Sequence, residues 1–389
     1  MFVEKYLCRH SFHKGFFTYQ NMIRFKYPLL AAVLCAFSLG CSTMKDTSGQ
    51  KAQELPATAL QPVGRYRMDN KQMLELISSA AHFGFSFEGT QANVITYLPD
   101  ANGHSYLQYE LDGVYQKRVR VNGGHDSLVI TAPPAGKHTV WVYKTTEAHT
   151  GPVAVQKIIG QKLAALKPAK APIIEFIGNS ITCGAAADPS EVPCGTGVYH
   201  DQHNAYLAYG PRVARALKTD FVLSSVSGYG AYRNWNSEGP ALPLVYEKVD
   251  FQVGTLQRWD FSTFTPQIVS IALGTNDLSN GDGKTPRQPF DSARFVQAYV
   301  SFVKNVKLKY PKATIALLSS PMAGGDNREL LQNCLTSIKT QIDAAYPSDK
   351  PVALHFFQPM QATGCTGHPS VEEHGVMARE LVPFFQSLL

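Results

Sequence analysis

Between residues 64 and 159 apolar and polar residues alternate in short runs: FSFEG, NVITYL, SYLQYELDG, RVRVNGG, SLVITAP, HTVWVYKTTE and VAVQKII. A period of two puts one set of side chains on one face of a strand. The runs recur about every ten residues and are bounded by Gly, Asn, Asp or Pro, which predicts a β-sandwich of jelly-roll type. The stretch 71–81 is the one candidate helix. Aromatic residues favour strands, so Tyr97, Tyr106, Tyr109, Trp141 and Tyr143 are expected to pack on sheet faces rather than to form a sugar platform.

From residue 171 the pattern changes. Short apolar runs at 172–177, 221–225, 268–273, 314–319 and 352–357 are bounded by turn residues, as strands buried on both faces are. Between and after them, 205–217, 292–310, 329–346 and 371–388 carry helical spacing. Repeated strand–helix units predict an α/β fold, a three-layer parallel-sheet domain. Ligands in such sheets bind beyond the carboxyl ends of the strands.

The N-terminus has a different character. Residues 27–40, YPLLAAVLCAFSLG, form an uncharged apolar run preceded by Arg24 and Lys26, which has the layout of a secretory signal. It is too short to span a bilayer as a helix. The run ends in Ser38-Leu39-Gly40-Cys41, which is similar to a bacterial lipobox with Cys41 as the lipidated residue; Met22 is an alternative start. Residues 41–63 read as a polar tether. The expected organisation is leader 1–40, tether 41–63, β-sandwich 64–165 and parallel-sheet domain 170–389.

Composition then matters in two ways. With 44% hydrophobic and 17% charged residues, the chain is no disordered tail. Its formal charge of +6 suggests acidic partners until the leader is removed, which leaves 31 Lys and Arg against 29 Asp and Glu. The mature charge of +2 carries no basic cluster for a nucleic-acid backbone. Export also fits Cys183, Cys194, Cys334 and Cys365, an even number suited to disulfides. Of three possible pairings, Cys183–Cys194 with Cys334–Cys365 is favoured by proximity in sequence. Zinc binding by Cys183, Cys194, His200 and His203 matches no established spacing, so no metal is expected.

Candidate chemistry follows each strand. Gly178-Asn179-Ser180 follows the first, Ser227-Gly228-Tyr229-Gly230 the second and Gly274-Thr275-Asn276-Asp277 the third, and His368-Pro369-Ser370 opens the last helix. A serine at a strand end can be a nucleophile, although the second glycine of a G-x-S-x-G elbow is missing. Tyr229, Tyr232, Trp235 and Trp259 are candidates to line a cleft. His200, His203, His355 and His374 read as loop or packing residues, and Asp277 as shaping its own loop.

This set resembles the SGNH, or GDSL-type, hydrolase superfamily, whose blocks supply Ser, Gly, Asn and His, here Ser180, Gly228, Asn276 and His368. The likeness extends to carbohydrate esterase family 2, a jelly roll followed by an SGNH domain, through EFIGNSITCG, HNAYLAYGPRVARAL, SGYGAYRNW, ALGTNDLS, GHPSVEEHGVMA, FEGT and KTTEAHTG. The resemblance implies a cofactor-free acetyl esterase. Ser180 would be the nucleophile, His368 the base, and Ser180, Gly228 and Asn276 the oxyanion hole. It also implies a sugar-polymer substrate, such as acetylated xylan or glucomannan, attacked at 6-O-acetyl groups.

Two positions depart from the superfamily. Asn179 stands where Asp is common, and Cys365 stands where the acid of the triad would be. A dyad oriented by a main-chain carbonyl is expected instead, with Thr366 holding His368 and a disulfide through Cys365 fixing the loop. The leader and Cys41 imply an exported, lipid-anchored protein of the bacterial envelope. A lipase or thioesterase, and a surface lipoprotein with an impaired hydrolase domain, are the alternatives.

Overall fold

Residues 52–132 and 136–389 are described by a computed structural model; the expected leader and Cys41 lie outside the described residues. The alternating runs form ten antiparallel strands in one hydrogen-bonded network. Strand His82–Leu98 holds it together. Its first half pairs with Lys137–Lys144 and its second with Gly124–Thr131. The change of partner falls at Gly89, whose φ of 106° few other residues tolerate. Phe83, Phe85 and Phe87 are fully buried along one face with Val140, Val142 and Val155. Tyr106 and Tyr143 are buried too, as the packing expectation requires.

Two segments differ from the sequence pattern. The 71–81 stretch is not a helix: Leu74–Leu76 is a strand paired with Tyr66–Met68 and Val153–Leu166. The Asp69 carboxylate accepts the N–H groups of Lys71 and Met73 at 2.9 and 2.7 Å, which turns the chain back before a helix can start. The stretch 53–63 is not the expected tether, because Gln53–Pro56 pairs with Val153–Leu166 and Ala57 and Leu60 are buried. Their apolar surface is better satisfied against the sheet than in water.

The second sheet is parallel, with strands in the order Asp220–Ser225, Ile173–Gly178, Ile268–Ala272, Thr314–Leu318, Ala353–His355. Order 2-1-3-4-5 places the ligand crevice where successive strands diverge, beyond the first and third. Helices Tyr209–Leu217 and Val371–Gln386 cover one face, with Tyr209, Val213, Leu381 and Phe385 packed on Phe176. Helices Ser292–Lys309 and Gly325–Ala345 cover the other through Phe295, Tyr299, Leu335 and Ile338.

The two sheets meet through buried polar groups. Arg65 of the antiparallel lobe donates to the carbonyls of Tyr246 and Lys248 at 2.6 and 2.7 Å, and lies 3.9 Å from Glu175 on the first parallel strand. Its guanidinium also stacks 4.1 Å from the centre of the Phe251 ring. A buried charge needs such partners, so this arginine fixes one lobe against the other.

Candidate active site

Each strand-end element presents its residue through local geometry. Asn179 caps a single helical turn, Ser180–Cys183, by accepting the Ile181 N–H at 3.1 Å, which sets Ser180 at its first position. Gly178 must be glycine, because a Cβ there would stand 2.0 Å from Thr182 Oγ1. Gly228 sits in a turn with φ 79°. Asn276 is the second residue of the short helix Thr275–Leu278, which follows a glycine with φ 124°. His368 precedes Ser370, whose hydroxyl and backbone form a capping box with Glu373.

Ser180, Gly228, Asn276 and His368 line one cavity of about 450 Å³, together with Tyr199, Trp235, Met322 and Thr366. Among the described residues, the backbone N–H groups of Ser180 and Gly228 have no acceptor, and the Ser180 hydroxyl has no hydrogen bond to His368. Such bonds commonly close only when substrate fills the site. One N–H of the Asn276 amide is held by the Tyr229 carbonyl at 2.8 Å, which leaves the other for a ligand. These three donors can meet an oxyanion.

Asp277 shapes a loop beyond its own. Its buried carboxylate accepts the N–H groups of Ala231, Tyr232 and Arg233 at 2.9–3.2 Å, and so fixes the segment after Gly228. Burial raises its pKa, and these bonds oppose the rise.

His368 Nδ1 lies 3.1 Å from Thr366 Oγ1, and the carbonyls of Cys365 and Thr366 also face the ring. A proton on Nδ1, donated to Thr366 Oγ1, leaves the lone pair of Nε2 available as a base. Burial and nearby His203 hold the imidazole below its usual pKa, against those carbonyls and the charge of Glu147. Thr366, next to the disulfide-bonded Cys365, has φ 52°.

That disulfide joins Cys194 to Cys365, with Cα atoms 5.1 Å apart, which corrects both expected pairings. Cys183, the last residue of the nucleophile turn, is buried with Sγ 3.2 Å from Ser225 Oγ, and Cys334 faces the core from its helix. Neither can reach the loop that carries Cys194. Proximity in sequence did not survive folding. With Cys194 bridged, the zinc reading loses a ligand. His104, His200 and Asp201 bring donor atoms within 4.8 Å. Asp201 is nevertheless already bonded to His104, the Tyr106 hydroxyl and the Val198 N–H, as a clasp between lobes.

Of the four cleft candidates, Trp235 lines the cavity. Tyr232 lines an adjoining one, packed on Phe290. Tyr229 contributes its carbonyl, and its ring meets His149 edge-on. Trp259 is buried elsewhere, against Tyr66, Phe264 and Arg65. His374 is buried with Nδ1 accepting the Tyr209 N–H at 3.3 Å, and burial lowers its pKa to about 3. His355 pairs with Glu380.

Glu147 was not read as a site residue, although it lies in KTTEAHTG. It is buried, contacts His203 Nε2 at 3.3 Å and accepts the Ser227 N–H at 2.8 Å. His203 in turn accepts the Ala186 N–H on Nδ1. Burial alone would raise the carboxylate's pKa, but its hydrogen bonds with His203 and Ser227 bring it to about 2.

Comparison with known proteins gives a consistent picture. The model "Carbohydrate esterase 2 N-terminal" matches residues 62–169, and the "GDSL-like Lipase/Acylhydrolase family" matches 176–348. A "Cellulase/esterase CelE" of Acetivibrio thermocellus is 29% identical over 333 residues, 82% of this chain; the chain spans 38% of that relative's length. An "Acetylxylan esterase / glucomannan deacetylase" of Cellvibrio japonicus is 24% identical, over 80% of this chain and 87% of that protein. A family two carbohydrate esterase from Clostridium thermocellum, solved in complex with cellohexaose, superposes with TM-score 0.74 at 27% identity, covering 84% of this chain and 98% of that one.

Proposed function

Since the chain belongs to carbohydrate esterase family 2, we propose that it is an exported, lipid-anchored esterase that removes O-acetyl groups from plant polysaccharides such as xylan or glucomannan. One observation carries the reading: Ser180 and His368 line a single cavity with Asn276 and the Gly228 turn. His368 Nε2 takes the Ser180 proton as Oγ attacks the acetyl carbonyl, and then returns it to the departing sugar hydroxyl. The tetrahedral oxyanion rests on the N–H groups of Ser180 and Gly228 and the Asn276 amide, each donor worth about 3 kcal/mol. Water, deprotonated by His368, then releases acetate. The missing acid does not speak for an impaired enzyme, because Thr366 and its neighbours orient His368 in its place.

The activities for which the relatives are named support the substrate class, and the sequence resemblance supports attack at primary 6-O-acetyl groups. The lipobox-like Ser38–Cys41 supports the anchor. Rates on 4-nitrophenyl acetate and longer acyl esters, with acetate release from acetylated xylan and glucomannan, test the reading. Acetyl preference and polymer deacetylation are expected; a preference for long acyl chains overturns it in favour of a lipase. Nuclear magnetic resonance of partly digested polymer reads the 6-O position, and labelling of Cys41 by a lipid precursor reads the anchor.

A further inference from the structure

We propose that Glu147, supplied by the antiparallel lobe, is a positioning residue of the esterase site: its carboxylate holds the turn that carries Gly228 and sets a fixed negative charge beside His203 and His368. The inference rests on the Ser180–His368 reading and adds a part from the other lobe.

The geometry is specific. Glu147 follows strand Lys137–Lys144 and reaches into the parallel-sheet lobe, where its carboxylate meets three separate elements. Oε2 accepts the N–H of Ser227, the residue before Gly228, at 2.8 Å. The same oxygen lies 3.6 Å from Cys183 Sγ, on the turn that begins with Ser180. Oε1 meets His203 Nε2, while Ala186 N–H donates to His203 Nδ1; the ring therefore carries its proton on Nε2 and donates it to Glu147. Nucleophile turn, oxyanion turn and the histidine beside His368 thus share one carboxylate.

The chain has a cysteine where the triad acid would stand, so no carboxylate follows His368 through Nδ1. A buried charge nearby can stabilise the imidazolium without touching it, because burial reduces screening. Tyr199 packs edge-on against His203, ring centres 4.6 Å apart, and against His368 at 6.2 Å, which brings the Glu147–His203 pair to the side of the base; the charge of Glu147 raises the pKa of His368, against burial and His203. Around Glu147 stand Lys144, Cys183, Tyr199, His203 and Tyr229. Around His368 stand His203, Tyr199 and, from the last helix, His374. Lys144 donates to the Glu147 carbonyl at 2.6 Å, and its pKa is lowered by burial to about 7. Because Lys144 titrates where activity would be measured, a rate profile alone does not isolate His368.

The test is therefore E147Q, in which an amide oxygen still accepts the Ser227 N–H and the charge is gone. The His368 titration is followed by nuclear magnetic resonance in the folded protein, with the signal assigned by loss in H368Q, alongside steady-state kinetics on 4-nitrophenyl acetate. The expected result is a His368 midpoint at lower pH than in the wild type, with kcat reduced about ten-fold or more and KM within about two-fold. An unmoved midpoint in folded E147Q overturns the proposal. Should E147Q not fold, E147D keeps the charge and withdraws it from Ser227: a wild-type midpoint with lowered kcat supports the proposal, and unchanged kcat overturns it. A wild-type protein inactive on every acetyl ester would instead remove the esterase reading, while the His368 midpoints of wild type and E147Q still decide the role of the charge.

Discussion

Thr366 Oγ1 lies 3.1 Å from Nδ1 of His368, two residues along a turn clamped by the Cys194–Cys365 disulfide. A hydroxyl and main-chain carbonyls thus stand where a triad would have a carboxylate. They orient the ring but leave no negative charge in contact with it, and five expectations follow from the site and its supports.

Replacing the proposed nucleophile, Ser180→Ala, should lower acetate release by about 10³-fold or more with the fold intact, since the acyl intermediate is proposed to form on its hydroxyl. Circular dichroism and a coupled acetate assay check it. Near-normal turnover would remove Ser180 from its role.

The pH profile follows from His368. The base must be neutral, so kcat/KM rises as the ring loses its proton. Because burial lowers its pKa, the acid limb should have its midpoint below the ordinary imidazole value of about 6.5. A midpoint above that value would contradict the environment described.

Asn276→Ala removes one oxyanion donor while Asp277 still holds the neighbouring turn. A loss of about 10²–10³-fold in kcat with KM nearly constant is expected, as for a donor used chiefly in the transition state. A rise in KM alone would make Asn276 a substrate-binding residue.

Cys194→Ser and Cys365→Ser should each cost about 2–5 kcal/mol of stability, because the bridge closes a loop across a sequence separation of 171 residues. Denaturant titration with and without reductant measures it. Reductant should bring the wild type to the level of the variants; equal stability in all cases would exclude the bridge.

Arg65→Ala strips the partner from Glu175, already pushed toward its neutral form by burial, and leaves the Tyr246 and Lys248 carbonyls without their donor. A loss of about 3–5 kcal/mol is expected. If urea unfolding becomes two-phased, the lobes have been uncoupled; an unchanged midpoint would show that the arginine carries little of the interface.

The strand-end residues were legible because a buried parallel strand is a short apolar run, and the turn after it announces itself through glycine and a small polar residue. That grammar offered Ser180, Gly228, Asn276 and His368 as candidates, and their roles came from the resemblance to a family rather than from the pattern. The front lobe's strands were legible through period two, but 71–81 was not: Asp69 bonds two backbone N–H groups, a local competition that spacing cannot weigh. Trp259 looked the same as Trp235 in sequence, yet one packs around Arg65 and the other faces the cavity.

What the sequence determined by itself is the order of two grammars and the residues set at strand ends, since hydrophobic periodicity and turn chemistry act over a few neighbouring positions. Only the tertiary structure decided that Cys194 meets Cys365 and that Glu147 of one lobe enters the site of the other. Those contacts join positions 171 and 80 residues apart. They depend on how two sheets dock, and no local pattern encodes the distance across a docked interface.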